Sequence, residues 1–135
     1  MKKLLSIHYN PLLFNLSTLL LRLIAGILMM SHGYDKLVHF NEKKTTFYNF
    51  LNVGTENSLL LAIFAEFFCA LFITIGLFTR MVALPLIIVM GVAVFKVHQM
   101  DFLGTGEKAS LFLGIFVTLL LCGPGKVSID GIASK

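Results

Sequence analysis

The chain has 135 residues, of which 57% are hydrophobic and only 13% are charged, whereas a soluble domain carries roughly 25% charged residues. A core of this size cannot bury so many apolar side chains, so the composition excludes a soluble globular domain and a disordered chain. The net charge of +4 comes from dispersed basic residues, so we expect a lipid bilayer around the chain and no nucleic-acid partner. The length allows one domain, residues 1–135.

Four apolar stretches are predicted to cross the membrane as helices. A crossing helix needs ~20 mostly apolar residues, and its backbone groups must bond within the segment. The stretches cover about residues 12–32, 58–78, 81–98 and 109–122. The last two are short, so we expect them to extend into the polar residues beside them. The predicted fold is all-α, a four-helix transmembrane bundle in a multi-pass integral membrane protein.

The connections between the predicted spans differ greatly in length. A tight turn at residues 79–80 joins the second and third spans, whereas a long loop of residues 33–57 follows the first. Phe47, Phe50 and Leu51 fall at helical spacing within this loop. We therefore expect the loop to be structured and to include a short helix on the membrane surface.

The N-terminal segment bears on the orientation of the chain. Lys2 and Lys3 precede the first span, Arg22 interrupts its apolar run, and no small-residue cleavage pattern follows it. We therefore expect this segment to be retained rather than removed as a signal peptide. The other Lys and Arg residues outside the spans do not favour either side. Because Lys2 and Lys3 precede the first span, we predict that both termini are cytoplasmic.

Two ionisable residues fall inside the predicted spans, where they are costly and usually face the bundle interior. Arg22 lies ~16 Å and Glu66 ~12 Å from the same membrane surface at ~1.5 Å per residue. In antiparallel helices, an Arg22–Glu66 ion pair is therefore geometrically available. Small residues on the same faces, such as Gly26 and Ala62, favour close helix packing. The pair either fixes the packing or lines a ligand cavity, and both interpretations stay open at this point.

More polar residues fall toward one end of the predicted bundle. His32 and Lys36 end the first span, His98 ends the third, and Glu107 opens the fourth. Histidine titrates near neutral pH, and burial can bring a glutamic acid toward the same range. Such a set can move protons to or from a ligand that lies partly in lipid. We therefore predict Glu66, His32, His98 and Glu107 as catalytic residues.

Other chemistries have less support in the sequence. A di-iron carboxylate site needs Glu-x-x-His pairs on two helices, which the sequence lacks, so we predict no metal site and no covalently bound cofactor. A haem between His32 and His98 stays open, although both histidines lie at the rim of the bundle. Cys69 and Cys122 stand alone in apolar runs, and we interpret them as small hydrophobic residues.

Short motifs follow one another in a defined order between about Leu19 and Asp130. In chain order they are residues 22–26 (RLIAG), 32–37 (HGYDKL), Glu66, 76–80 (GLFTR), His98, Glu107 and 123–130 (GPGKVSID). In this order and spacing, the chain resembles the DoxX family of four-helix integral membrane proteins.

The resemblance implies both a fold and a redox setting. The fold would be a compact four-helix membrane bundle, and we expect it to lie in the bacterial cytoplasmic (inner) membrane. Relatives include a quinone-linked subunit of an archaeal thiosulfate oxidoreductase, and others are tied to redox stress or quinone handling. Because this chain has no thiol pair, thiosulfate chemistry would need a redox partner subunit. The implied functional set is Arg22, His32, Lys36, Glu66, Arg80, His98 and Glu107.

The residues and the resemblance together favour a quinone-linked oxidoreductase or a subunit of one. Arg22, Lys36 and Arg80 are predicted to bind the quinone or a related lipid-soluble substrate. Its ring or tail is expected to contact the apolar residues Met29, Met30, Phe67 and Phe68. Two alternatives stay open. The first is a non-catalytic membrane anchor or assembly subunit, and the second is a small-solute transporter, for which short spans would require a homodimer.

Overall fold

A computed structural model describes residues 6–135, so Lys2 and Lys3, on which the predicted orientation depends, lie outside the described residues. Within residues 6–135 the chain forms six α-helices and no β-strand, which confirms the all-α class. The helices are α1 (Pro11–Val38), α2 (Phe40–Lys43), α3 (Thr55–Ile75), α4 (Thr79–Val97), α5 (Glu107–Cys122) and α6 (Ile129–Ala133).

Three of these helices, α1, α3 and α4, are long and apolar enough to cross a membrane. The chain is therefore an integral membrane protein with a lipid bilayer around these helices. Helix α5 has 16 residues, which is ~24 Å at ~1.5 Å per residue and less than the ~30 Å hydrocarbon core. The fourth predicted span is thus a helix, and its crossing of the membrane stays a prediction.

The four long helices pack side by side in a closed ring. Helix α1 packs on α3, α3 on α4, and α4 on α5, and α5 returns to α1. The interior holds a continuous apolar core in which small side chains such as Ala25, Ala70 and Ala83 let the helices approach closely. Large apolar side chains also cover the outside of the helices, as a bilayer requires.

Helix α1 begins as its sequence suggests but ends later than predicted. Pro11 occupies its first turn, and the Asn10 side chain accepts a hydrogen bond from the backbone N–H of Leu12 at 2.9 Å. The helix continues to Val38 instead of ending near His32. This extension places Lys36 on a helix that packs against α3, and it shortens the predicted loop.

The remainder of that loop contains little regular structure. Helix α2 is a single turn, and Phe50–Asn52 form a 3₁₀ turn in place of the predicted surface helix. The backbone N–H of Phe50 donates a hydrogen bond to Ser58 Oγ at 2.8 Å, which ties the loop to the start of α3. Phe47 and Phe50 are consequently held over the end of the bundle, half-buried rather than free.

Two stretches of wider π-helix occur in the long helices, one in the middle of α3 and one at the end of α4. One is Phe64–Cys69 within α3, and the other is Ala93–Val97, which closes α4. Insertions of this kind recur at functional sites because they turn a side chain out of the regular helical register. Glu66 lies within the first, and His98 directly follows the second.

Candidate ligand-binding site

The central contact of the site is an ion pair between Lys36 on α1 and Glu66 on α3. Lys36 Nζ lies 2.5 Å from Glu66 Oε2, and the two side chains are 20% and 4% exposed. A buried carboxylate remains ionised only when a partner or hydrogen bonds compensate for the lost water. The pair therefore keeps a negative and a positive group together inside the membrane-spanning part of the bundle.

The predicted Arg22–Glu66 ion pair is not formed. Gly33, not Arg22, faces Glu66, because a Cβ on Gly33 would lie within 2.8 Å of the Glu66 carbonyl carbon. Arg22 is eleven residues earlier on the same helix, or ~16 Å farther along its axis. The extension of α1 past His32 puts Lys36 one turn beyond Gly33 instead, where it reaches the carboxylate.

A cavity of about 470 Å³ lies beside this ion pair, between α3, α4 and the loop that follows α2. This volume falls in the range of small-molecule sites, which are mostly apolar with a few polar groups. Apolar and aromatic side chains form most of the wall, including Phe47, Phe50, Leu61, Pro85, Ile88 and Val89. The polar side chains in the wall are Lys36, Tyr48, Ser58, Glu66 and His98.

Three of the predicted site residues thus meet in one place, namely Lys36, Glu66 and His98. His32 and Glu107 are not among the residues that line the cavity. His32 is exposed on α1 and packs edge-on against Phe112 of α5, with ring centroids 5.9 Å apart. Glu107 is exposed in the first turn of α5. The polar residues that the sequence places together at one end of the bundle therefore lie on separate surfaces.

Arg22 and Arg80 lie toward the opposite end of the bundle. Arg22 is 1% exposed, and its Nη2 donates a hydrogen bond to the carbonyl oxygen of Val127. Its guanidinium occupies the space beside Gly76, where any side chain would collide with it. Arg80 is exposed and donates from Nη2 to the carbonyl oxygen of Leu121 at 3.4 Å. Neither arginine lines the cavity.

The expected apolar contacts also differ from those in the structure. Met29 is buried in the core of the bundle, and Phe68 is exposed and packs against Phe67. None of the four apolar residues expected to contact a ring lines the cavity. The aromatic wall comes instead from the loop residues Phe47, Tyr48 and Phe50, together with Phe64 of α3. The sequence predicts Phe47 and Phe50 on a short membrane-surface helix, and only the folded loop brings them to the site.

Asp130 ties the C-terminal segment, which includes Val127, to the end of the bundle, and we call this set of hydrogen bonds the clamp. Its carboxylate accepts hydrogen bonds from the backbone N–H groups of Phe78 at 2.8 Å and Thr79 at 2.9 Å, at the start of α4. The backbone N–H of Asp130 donates to the Gly76 carbonyl at 2.9 Å. An acidic group at a helix N-terminus is favourable, so the motif at residues 123–130 has a structural role.

This clamp predicts a defined response to acid. Burial alone would raise the pKa of the Asp130 carboxyl, but the N–H groups of Thr79 and Phe78 hold that pKa below its usual value. A lowered folded-state pKa stabilises the fold above the unfolded-state value, and this contribution is lost as the pH falls through the folded value. Asp130→Asn is expected to lower the unfolding free energy by about 1 kcal/mol at neutral pH.

Thermal unfolding in detergent between pH 7 and pH 3 measures this effect. The difference between wild type and Asp130→Asn should shrink toward the acid end, because the wild-type carboxylate becomes protonated there. Glu42→Gln removes an exposed carboxylate and serves as the control. A constant difference at every pH would show that the carboxylate charge does not stabilise the clamp.

Comparison with known families identifies the chain. The model of the DoxX family matches residues 17–99, more than half of the sequence. The chain belongs to the DoxX family. The matched region of this DoxX protein includes Lys36, Glu66 and His98, and it ends before Glu107 and before the motif at residues 123–130. Comparison with curated protein sequences and with solved structures gives no significant match.

Proposed function

We propose that this DoxX protein binds a quinone, or a related lipid-soluble aromatic carbonyl compound, in the cavity between α3 and α4. The observation that carries the proposal is the buried Lys36–Glu66 pair in an otherwise apolar, aromatic wall. An apolar ring and tail suit such a wall, whereas a carbonyl oxygen needs a hydrogen-bond donor inside it. The Lys36 ammonium group is that donor.

The proposal extends to proton-coupled redox chemistry, as a quinone-linked oxidoreductase or a subunit of one. Reduction of a quinone to a quinol takes up two electrons and two protons. The electrons come from a second substrate or a redox partner subunit. In quinol formation Lys36 donates one proton to one carbonyl oxygen, and the second proton passes through His98 to the other carbonyl oxygen. Glu66 stabilises the Lys36 cation before the transfer, and in the reverse direction Glu66 accepts one of the two protons. His98, half-buried in the same wall, exchanges protons between the cavity and water.

Arg22, Arg80, His32 and Glu107 have no role in this proposal, because they do not line the cavity. The same proposal places α5 across the membrane as a fourth span, in the bacterial inner membrane with cytoplasmic termini. It involves no covalently bound cofactor in this chain. A homodimer is compatible with it and is not required.

The experiment is quinone binding by purified protein in detergent, with organic extraction and mass spectrometry for co-purified quinone and a titration with added ubiquinone. Glu66→Gln keeps the shape of the side chain and removes its charge, so it should weaken binding about tenfold, which is the loss of one charge-assisted hydrogen-bond network. Glu56→Gln makes the same change at an exposed site in the first turn of α3 and should bind like wild type.

Two outcomes would contradict the proposal. Wild-type protein that neither carries nor binds quinone would favour a membrane anchor or assembly subunit, in which the ion pair serves packing alone. Equal loss of quinone binding in Glu66→Gln and Glu56→Gln would show that the loss does not depend on the carboxylate in the cavity wall. Thermal unfolding of each variant separates loss of binding from loss of fold.

A further inference from the structure

A second concave surface lies at the opposite end of the bundle from the Lys36–Glu66 cavity. It is an open groove of about 1150 Å³ between the start of α1, the start of α4, the end of α5 and the C-terminal segment. The helices α1 and α4 both enter the membrane from this end. The groove therefore lies where the hydrocarbon core meets the headgroups.

The charge in this groove is predominantly positive. Arg80, Lys126 and Lys135 line it, and among the described residues Asp130 is the one acidic side chain in its wall. Both oxygens of that carboxylate already accept backbone N–H groups of Phe78 and Thr79. The basic side chains thus face the opening with no ion pair among the described residues, and an anionic group there would be stabilised by all three.

Arg80 is held in a position that suits a phosphate. Its guanidinium lies over Gly123, since a Cβ at that glycine would be 3.4 Å from both Nε and Nη2. One N–H of Nη2 reaches the Leu121 carbonyl at the long distance of 3.4 Å. The remaining donors form a planar fork of the kind that binds two oxygens of a phosphate.

The groove is also lined by exposed apolar side chains, which we call its apolar floor. Tyr9, Phe78 and Met81 are 71%, 59% and 69% exposed, and all three line it. Phe78 has a φ of 49°, in the left-handed region that a bulky residue rarely adopts. The hydrogen bonds that the N–H groups of Phe78 and Thr79 donate to Asp130 hold this backbone. The groove therefore combines this apolar floor with a basic rim, which is formed by Arg80, Lys126 and Lys135.

We propose that this groove binds an anionic phospholipid, with its phosphate on Arg80 and Lys126 and an acyl chain along Phe78 and Met81. A free phosphate ion would satisfy the cations but would leave the apolar floor exposed at the membrane surface. A zwitterionic lipid would cover the apolar floor, but the positive group of its headgroup would lie close to the basic side chains and would be repelled by them. An anionic phospholipid matches both parts of the surface.

The test uses the full chain in detergent, with native mass spectrometry of retained lipid after exposure to equal amounts of phosphatidylglycerol and phosphatidylcholine. Wild type should retain phosphatidylglycerol preferentially. Arg80→Gln with Lys126→Gln should reduce that preference about tenfold, since each basic residue near a membrane surface contributes a few-fold in affinity. Lys96→Gln with Lys108→Gln removes two exposed charges at the opposite end and should leave the preference unchanged.

Two further experiments complete the test. The first distinguishes a lipid phosphate from a free phosphate ion, and the second measures the contribution of the apolar floor. An excess of inorganic phosphate should not displace phosphatidylglycerol, and Met81→Ser should weaken lipid retention although no charge changes. Displacement by inorganic phosphate would indicate a site for the free ion and overturn the lipid proposal. Equal retention of both lipids by wild type, or an equal loss in the Lys96→Gln and Lys108→Gln protein, would overturn it as well.

Discussion

Replacing Lys36 with methionine is expected to lower the unfolding free energy by about 3 kcal/mol, because the change leaves Glu66 as an uncompensated buried charge. Methionine retains the length and apolar stem of lysine, so the packing between α1 and α3 is largely kept. The carboxylate is 4% exposed and has no second partner among the described residues. Without the ammonium group this carboxylate must stay buried and unpaired or leave the cavity wall, and either outcome costs free energy.

The two partners should not be equivalent in this respect. Lys36 is 20% exposed, so in Glu66→Gln its ammonium group can turn toward water, and the loss should be smaller than in Lys36→Met. In the double variant Lys36→Met with Glu66→Leu, no buried charge is left, and much of the stability should return. Lys96→Met, an exposed lysine near the same end, is the control and should stay close to wild type.

Equilibrium unfolding by denaturing detergent, followed by helical circular dichroism, gives the unfolding free energy of the four variants and of wild type. A double variant as unstable as Lys36→Met would show that the cost comes from packing rather than from charge. A Lys36→Met protein as stable as wild type would show that the ion pair is not formed in the membrane protein.

The helices themselves were largely predictable, because lipid imposes a simple requirement on the sequence. Long apolar runs must become helices, and the residues that end them must be turn formers or polar. The second and third predicted spans agree with α3 and α4 within a few residues. The end of α1 was harder to predict, since residues 32–38 are polar enough to read as a loop and become helical only because they pack on α3.

The register between helices was not predictable from depth alone. The depths predicted for Arg22 and Glu66 are counted from predicted helix ends, and α1 in fact continues past His32 to Val38. The actual register is set by the contact of Gly33 with the backbone of Glu66 and Phe67, and it moves Arg22 toward Val127. The π-helical turn that contains Glu66 has no recognisable pattern in the sequence.

Part of the candidate site is predictable from the sequence, and the physical reason holds in any membrane bundle. Ionisable residues at membrane depth are costly, which singles out Arg22 and Glu66, and the polar residues at the ends of the predicted spans include Lys36 and His98. The aromatic wall of the cavity depends on a loop whose course is fixed by single hydrogen bonds, such as Phe50 N–H to Ser58 Oγ. Local sequence does not determine a course of that kind.

Gly33→Ala is expected to lower the unfolding free energy by about 2 kcal/mol, because its Cβ would force α1 and α3 apart. The added carbon would lie 2.7 Å from the Phe67 backbone nitrogen and 2.8 Å from the Glu66 carbonyl carbon. Backbone atoms cannot move aside as a flexible side chain can, so the two helices must separate at this level. The helix preference of alanine over glycine, up to ~1 kcal/mol, offsets only part of the cost.

The same substitution at Gly114 is a matched control, since a Cβ there would meet nothing within 4 Å. Gly114→Ala should be neutral or should stabilise α5 by up to ~1 kcal/mol. Unfolding in detergent compares the two, and quinone titration gives a second readout. Separation of α1 from α3 at Gly33 would lengthen the Lys36–Glu66 contact one turn away, so Gly33→Ala should also weaken ligand binding. If Gly33→Ala is as stable as Gly114→Ala, α1 and α3 do not meet at Gly33, and the geometry that brings Lys36 to Glu66 is wrong.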